Sequence, residues 1–101
     1  MAGGSMSDVS SIEQSLRQTL ADAASFLDSI GETFWSSRLR RAAERAVLDV
    51  AEVMSWYGGM GSFNDLFIAG VNGHRVSPEA EGAANDKLDA YRERIYSLAA
   101  K

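Results

Sequence analysis

Apolar residues recur at three- and four-residue intervals over three long stretches, and each stretch predicts an amphipathic helix. Ile12, Leu16, Leu20, Ala23, Leu27 and Ile30 fall within an arc of about 80° on a helical wheel, which predicts a first helix over residues 11–30. Ser10 and Glu13 have the spacing of a capping box at its start, and Gly31 is placed to end it in a left-handed cap. Trp35, Leu39, Ala42, Ala46, Val50, Val53 and Tyr57 predict a second helix over 33–57, broadened by Ala43, Val47 and Met54. A stripe this wide implies more than one neighbour, so this helix is expected at the centre of the core. Trp35 and Trp56 are expected in the core or at its edge. Ala84, Leu88, Tyr91, Ile95 and Leu98 predict a last helix over 84–99.

Between these helices the pattern changes. Three of the nine glycines lie from Gly58 to Gly61. Glycine in a helix interior costs about 1 kcal/mol relative to alanine, so the cluster predicts a break, with Gly58 as a left-handed cap. Ser62 and Asp65 carry the spacing of a new helix start, and Phe63, Leu66, Phe67 and Ile68 supply apolar contacts for a short helix or turn. Asn72-Gly73 between short apolar runs is a turn signal, because both residues tolerate positive φ. It predicts a small β-hairpin over about 67–77, packed on the helices because a lone hairpin is marginal in water. After Ser77-Pro78, residues 79–82 read as a polar linker or one helical turn. The fold class expected is therefore mainly α: three long helices (11–30, 33–57, 84–99), a Gly-rich joint and one hairpin. Residues 1–5 read as an expression scar with Met6 as the natural start, leaving 6–101 as a single helical domain.

The segment Gly58-Gly59-Met60-Gly61-Ser62-Phe63-Asn64-Asp65-Leu66 resembles the signature of a family of small, uncharacterised bacterial domains. Members are similar to this chain in having a Trp-containing helix before the Gly-rich segment, here Gly31-Glu32 with Trp35, and a Leu/Tyr-rich helix after it, here Leu88, Tyr91, Ile95 and Leu98. The resemblance covers roughly residues 28–99. Small domains of this kind are commonly immunity proteins of interbacterial toxin systems. The resemblance implies that role and brings no catalytic residues with it.

Composition narrows the chemistry. The chain has no cysteine, which removes disulfides, thiol catalysis and Cys-ligated metals and fits a reducing, cytoplasmic setting. No run of about 18 apolar residues marks a membrane span, and no basic-then-apolar leader marks secretion. The single histidine, His74, follows the Asn-Gly turn and reads as a surface turn residue, with no HExxH or EF-hand spacing around it. The glycines match neither a phosphate loop nor a nucleophile elbow. No enzyme, cofactor or metal site is expected.

The formal charge of −4 argues against a general nucleic-acid binder and suits a partner that is basic at the contact. On the second helix Arg38, Arg41 and Arg45 precede Asp49 and Glu52 on one face, an order that opposes the helix dipole. The function expected is an immunity-type binding protein that occludes the active site of a cognate toxin. Its candidate contacts are Phe63, Asp65, Asn72, His74, Arg75, Asp49 and Glu52. A small-ligand protein or enzyme using the Gly-rich segment, and a structural subunit or homo-oligomer, are the alternatives.

Overall fold

The computed structural model describes the backbone of residues 3–58 and 61–101, with side chains from residue 11 onward in that range. Gly59 and Met60, at the heart of the Gly-rich joint, lie outside the described residues, as does the side chain of Ser10. Among the described residues, four helices build the fold: α1 (Gly3–Ser29), α2 (Thr33–Glu44), α3 (Val50–Ser55) and α4 (Glu81–Ala99). Three 3₁₀ turns, at Phe63–Asp65, Gly70–Asn72 and Pro78–Ala80, punctuate the connections. Helix α1 packs against α2 and α4, and α3 packs against α4.

Most of the core is the stripe the sequence predicts, but Ala46, Val47 and Val50 of the expected second helix are exposed, and Ala24, off the stripe, is buried. Leu16, Leu20, Ala23, Ala24 and Leu27 of α1 are buried against Leu39 and Ala42 of α2 and Leu88 and Ile95 of α4. Burial of a Leu or Ile side chain stabilises by about 1.5–3 kcal/mol, so these positions dominate the stability of the bundle. Helix α1 begins upstream of Ser10, with no glycine or proline between Ser5 and Ser10 to stop it. It ends as expected: Gly31 takes φ 81°, Gly31 N–H donates to Asp28 O at 3.1 Å, and Glu32 N–H donates to Leu27 O at 2.9 Å. Those two bonds are a Schellman closure.

The single helix expected over 33–57 is two. Arg45 is extended (φ −64°, ψ 143°), and helix resumes only at Val50. The break has a tertiary cause and a local one. Arg17 of α1 donates to Ala43 O at 2.9 Å and to Arg45 O at 2.6 Å, taking carbonyls that end α2. Asp49 then N-caps α3, accepting from Glu52 N–H at 3.0 Å. The charge order that opposes the dipole of one helix suits two: Arg41 lies in the last turn of α2, and Glu52 in the first turn of α3.

The β-hairpin over 67–77 is not formed, and among the described residues there is no strand. The Asn-Gly turn itself is present. Gly73 adopts φ 87°, and its N–H donates to Gly70 O at 3.0 Å. The flanking backbone finds side chains instead of a second strand. Asn85 of α4 brackets buried Ile68, accepting its N–H and donating to its C=O, both at 2.8 Å. Ala69 N–H goes to His74 Nδ1 at 3.1 Å, and Gly70 N–H to Glu81 Oε2 at 3.1 Å. A side-chain amide that satisfies both groups of one residue does the work of a neighbouring strand. The last helix starts at Glu81, ahead of the expected 84, because the Pro78–Ala80 turn runs directly into it.

The joint is organised around Phe63. Its ring is fully buried, with centroids 5.0 Å from Trp35, 6.4 Å from Trp56 and 5.9 Å from Tyr57. Phe63 N–H closes the loop on Trp56 O at 2.8 Å. Among the described residues of the joint, the left-handed glycine is Gly61, at φ 74°, rather than Gly58. Asp65 reaches back to Gly61 N–H at 2.7 Å, while Ser62 makes no side-chain cap.

Candidate functional site

The residues singled out from the sequence do not form one cluster. Phe63 is buried under the joint, and Asp65 is bonded within it. Asp49 is committed to capping α3. Asn72 is exposed and donates to Phe67 O at 3.1 Å. Arg75 lies beside Gly31 and donates to Asp28 O at 3.4 Å, with its own backbone N–H on Ile30 O at 2.8 Å. Only Glu52 lines a cleft, and it is also paired with Arg45 at 3.4 Å.

His74 is buried, not a surface turn residue. Its Nδ1 accepts from Ala69 N–H, and its Nε2 is 2.8 Å from Glu32 Oε1. That pattern requires the tautomer with the proton on Nε2, donated to Glu32, an assignment made from the hydrogen-bond network. The other oxygen of Glu32 caps α2, accepting from Trp35 N–H at 3.2 Å. The pair therefore ties the 66–77 loop to the α1–α2 turn. Both ring nitrogens are engaged, so the imidazole has no free site for a substrate proton.

One groove, of about 740 Å³, is lined by Tyr57, Asn64, Asp89, Arg92, Glu93 and Tyr96. Its Arg92, Asp89 and Tyr57 side chains are already spent on the fold. Arg92 Nη1 donates to Phe63 O at 2.8 Å, Leu66 O at 2.9 Å and Asn64 O at 3.2 Å, and Nη2 pairs with Asp89. Tyr57 donates its hydroxyl to Arg92 O at 2.7 Å. Burial pushes the Tyr57 phenol above its ordinary value, with Arg92 opposing the shift. This is a clamp that fastens α4 to the joint.

The second cleft, about 590 Å³, is different. Thr33, Phe34, Ser37, Arg38 and Arg41 of α2 line it, together with Glu52 of α3. A smaller depression of about 230 Å³ continues past Phe34 and Arg38 to Trp56, Gly58, Gly61 and Ser62. The ridge between the two is Phe34, whose side chain is 59 % exposed. Arg38 stacks on it, with its guanidinium carbon 4.6 Å from the Phe34 centroid and 5.3 Å from that of Trp35. Among the described residues, neither Arg38 nor Arg41 has an ion pair or a side-chain hydrogen bond. Arg40 of α2 and Arg45 just after it do: Arg40 pairs with Asp28 at 2.6 Å and Arg45 with Glu52. An exposed aromatic ring under an arginine is a common composition at interfaces.

Sequence reasoning passed over Phe34 because it lies off the apolar stripe. That position was the available signal: a large aromatic on the polar face, four residues before an arginine. No group of three or more His, Cys, Asp or Glu among the described residues is placed to hold a metal ion. No helix among them is long and apolar enough to cross a membrane. No curated protein and no solved structure matches the chain. Residues 28–77, which carry α2, α3, the Gly-rich joint and the His74 loop, are similar to a family described as a domain of unknown function, DUF6966.

Proposed function

We propose that this chain is a protein-binding module whose contact face is the Phe34 ridge and the clefts on either side of it. One observation carries the reading: a 59 % exposed phenylalanine, stacked by Arg38 and flanked by Arg41, on a rigid helix whose other face is core. Phe34 rests edge-to-face on Trp35 at 5.5 Å, and Trp35 rests on Phe63, so the ridge is backed by the buried aromatic cluster. Aromatic and arginine side chains supply most interface hot spots, and pre-organised ones lose least entropy on binding. The more specific form of this function is the immunity type, in which the partner is a cognate toxin. That form rests on the resemblance of the Gly58–Leu66 segment.

The test is site-specific photocross-linking in the protein's own cells. A photoreactive phenylalanine analogue at position 34 is expected to trap a discrete partner. The same analogue at Ser97, which lines a separate groove on α4, is expected to trap none. Equal trapping at both positions, or none at position 34, refutes the face. A trapped partner with toxin activity that this chain suppresses supports the immunity form, and an inactive partner refutes that form alone.

A further inference from the structure

We infer that the partner presents an acidic peptide segment to this face, with carboxylates on Arg38 and Arg41 and an apolar side chain against Phe34; the inference rests on the binding reading above. Charge complementarity carries it. The chain as a whole is acidic, at −4, yet Arg38 and Arg41 are the residues of this cleft left without carboxylates among the described residues. They stand three residues apart on α2 and therefore project from one side of the helix. Two guanidinium groups on one side can address two carboxylates of an extended segment.

The guanidinium carbon of Arg38 lies 4.6 Å from the Phe34 centroid and 5.3 Å from the Trp35 centroid, and these contacts limit the rotamer entropy lost when Arg38 meets a carboxylate. Hydroxyls of Thr33 and Ser37 line the same cleft and can donate to further acceptors.

The experiment is an NMR titration of the full chain with synthetic twelve-residue peptides. One alternates Glu with Leu; matched versions replace every Glu by Gln or by Lys. A single-stranded DNA twelve-mer is the fourth probe. The Glu peptide is expected to shift the Arg38 and Arg41 side-chain Nε–H signals and the Phe34 ring. Its affinity is expected to fall between 0.05 and 0.5 M salt as screening shortens the reach of the charges. R38Q and R41Q are each expected to weaken it by about two- to five-fold, the scale of exposed charge pairs. Both positions are solvent-exposed, and an unchanged melting temperature shows that the variants remain folded.

Equal binding of the Glu and Gln peptides overturns the inference, as do shifts confined to another face, absence of binding, or tighter binding of the DNA. A concentration-dependent dimer that R38Q abolishes assigns the face to a second copy and overturns it as well. The two proposals fail separately. A partner trapped at position 34 with no response to the Glu peptide removes the acidic segment and keeps the face. A Glu-peptide response with no partner trapped keeps the anion chemistry and removes the module reading.

Discussion

Several side chains do two jobs, and their removal has consequences at more than one place. Asn85 satisfies both backbone groups of Ile68, which is fully buried. Asn85→Ala leaves two polar groups without partners, each costing about 1–3 kcal/mol. The variant is expected to lose at least 2 kcal/mol in urea denaturation, and a loss below about 0.5 kcal/mol would show that water replaces the amide. Glu32 likewise serves as the cap of α2 and the acceptor for His74. Asp28 is the pH-sensitive residue. A hydrogen bond from Ser36, and then one from Arg40, hold its carboxyl below its ordinary value. The folded state therefore favours the carboxylate. Its contribution is complete above the unfolded-state value of about 3.9 and is lost as pH falls through the lower folded value. Urea midpoints measured at pH 6 and pH 3 are expected to differ less in Asp28→Asn than in the parent, and an identical difference refutes the linkage.

At the scale of elements, the break between α2 and α3 is the informative case. Its local half was legible: Asp49 and Glu52 have capping-box spacing, and the arginine-before-acid order makes sense only if a helix ends between them. The continuous apolar stripe concealed it, because Ala46, Val50 and Val53 keep helical spacing across residues that are not helical. The other half, Arg17 donating to the carbonyls of residues 43 and 45, comes from 26 and 28 residues away and has no local signature. Asp49→Ala is expected to cost about 0.5–2 kcal/mol in thermal or urea unfolding, the range for lost N-caps. If Arg17 alone decides the break, Asp49→Ala leaves stability unchanged. Gly31 ends α1 at φ 81°, so Gly31→Ala is expected to cost about 1–2 kcal/mol from the left-handed backbone. A neutral result would mean that the turn relaxes into another cap.

Over the whole molecule, the aromatic cluster joins parts that are far apart in sequence. Phe63 is its hub, touching rings from α2, the end of α3 and the joint, while Arg92 of α4 gathers three carbonyls just beyond it. Phe63→Ala is expected to cost about 3–5 kcal/mol, a large fraction of the roughly 5–15 kcal/mol that holds an ordinary domain folded. Because Trp35 supports Phe34, the milder Phe63→Leu is the informative variant. It is expected to stay folded while weakening any ligand held at the Phe34 ridge. Unchanged affinity there would separate the core from the binding face.

What the sequence by itself determined is the helical class, most of the buried stripe and the end of α1 at Gly31. The positions Leu16, Leu20, Leu27, Leu39, Leu88 and Ile95 are core because their spacing matches the helical period, and that period is local information. Gly31 and Gly73 are left-handed because their turns require it, and glycine supplies that conformation cheaply. Tertiary structure alone decided where backbone groups find their partners. The 67–77 segment has the turn of a hairpin but no strands, since Asn85, His74 and Glu81 reach its N–H groups first. Tertiary structure likewise decided which charges are spent. Arg17, Arg40 and Arg92 look like Arg38 and Arg41 in a sequence, yet the first three are consumed by the fold. Hydrophobic spacing is set by neighbours in the chain, whereas satisfaction of a polar group depends on what the fold brings within about 3 Å of it.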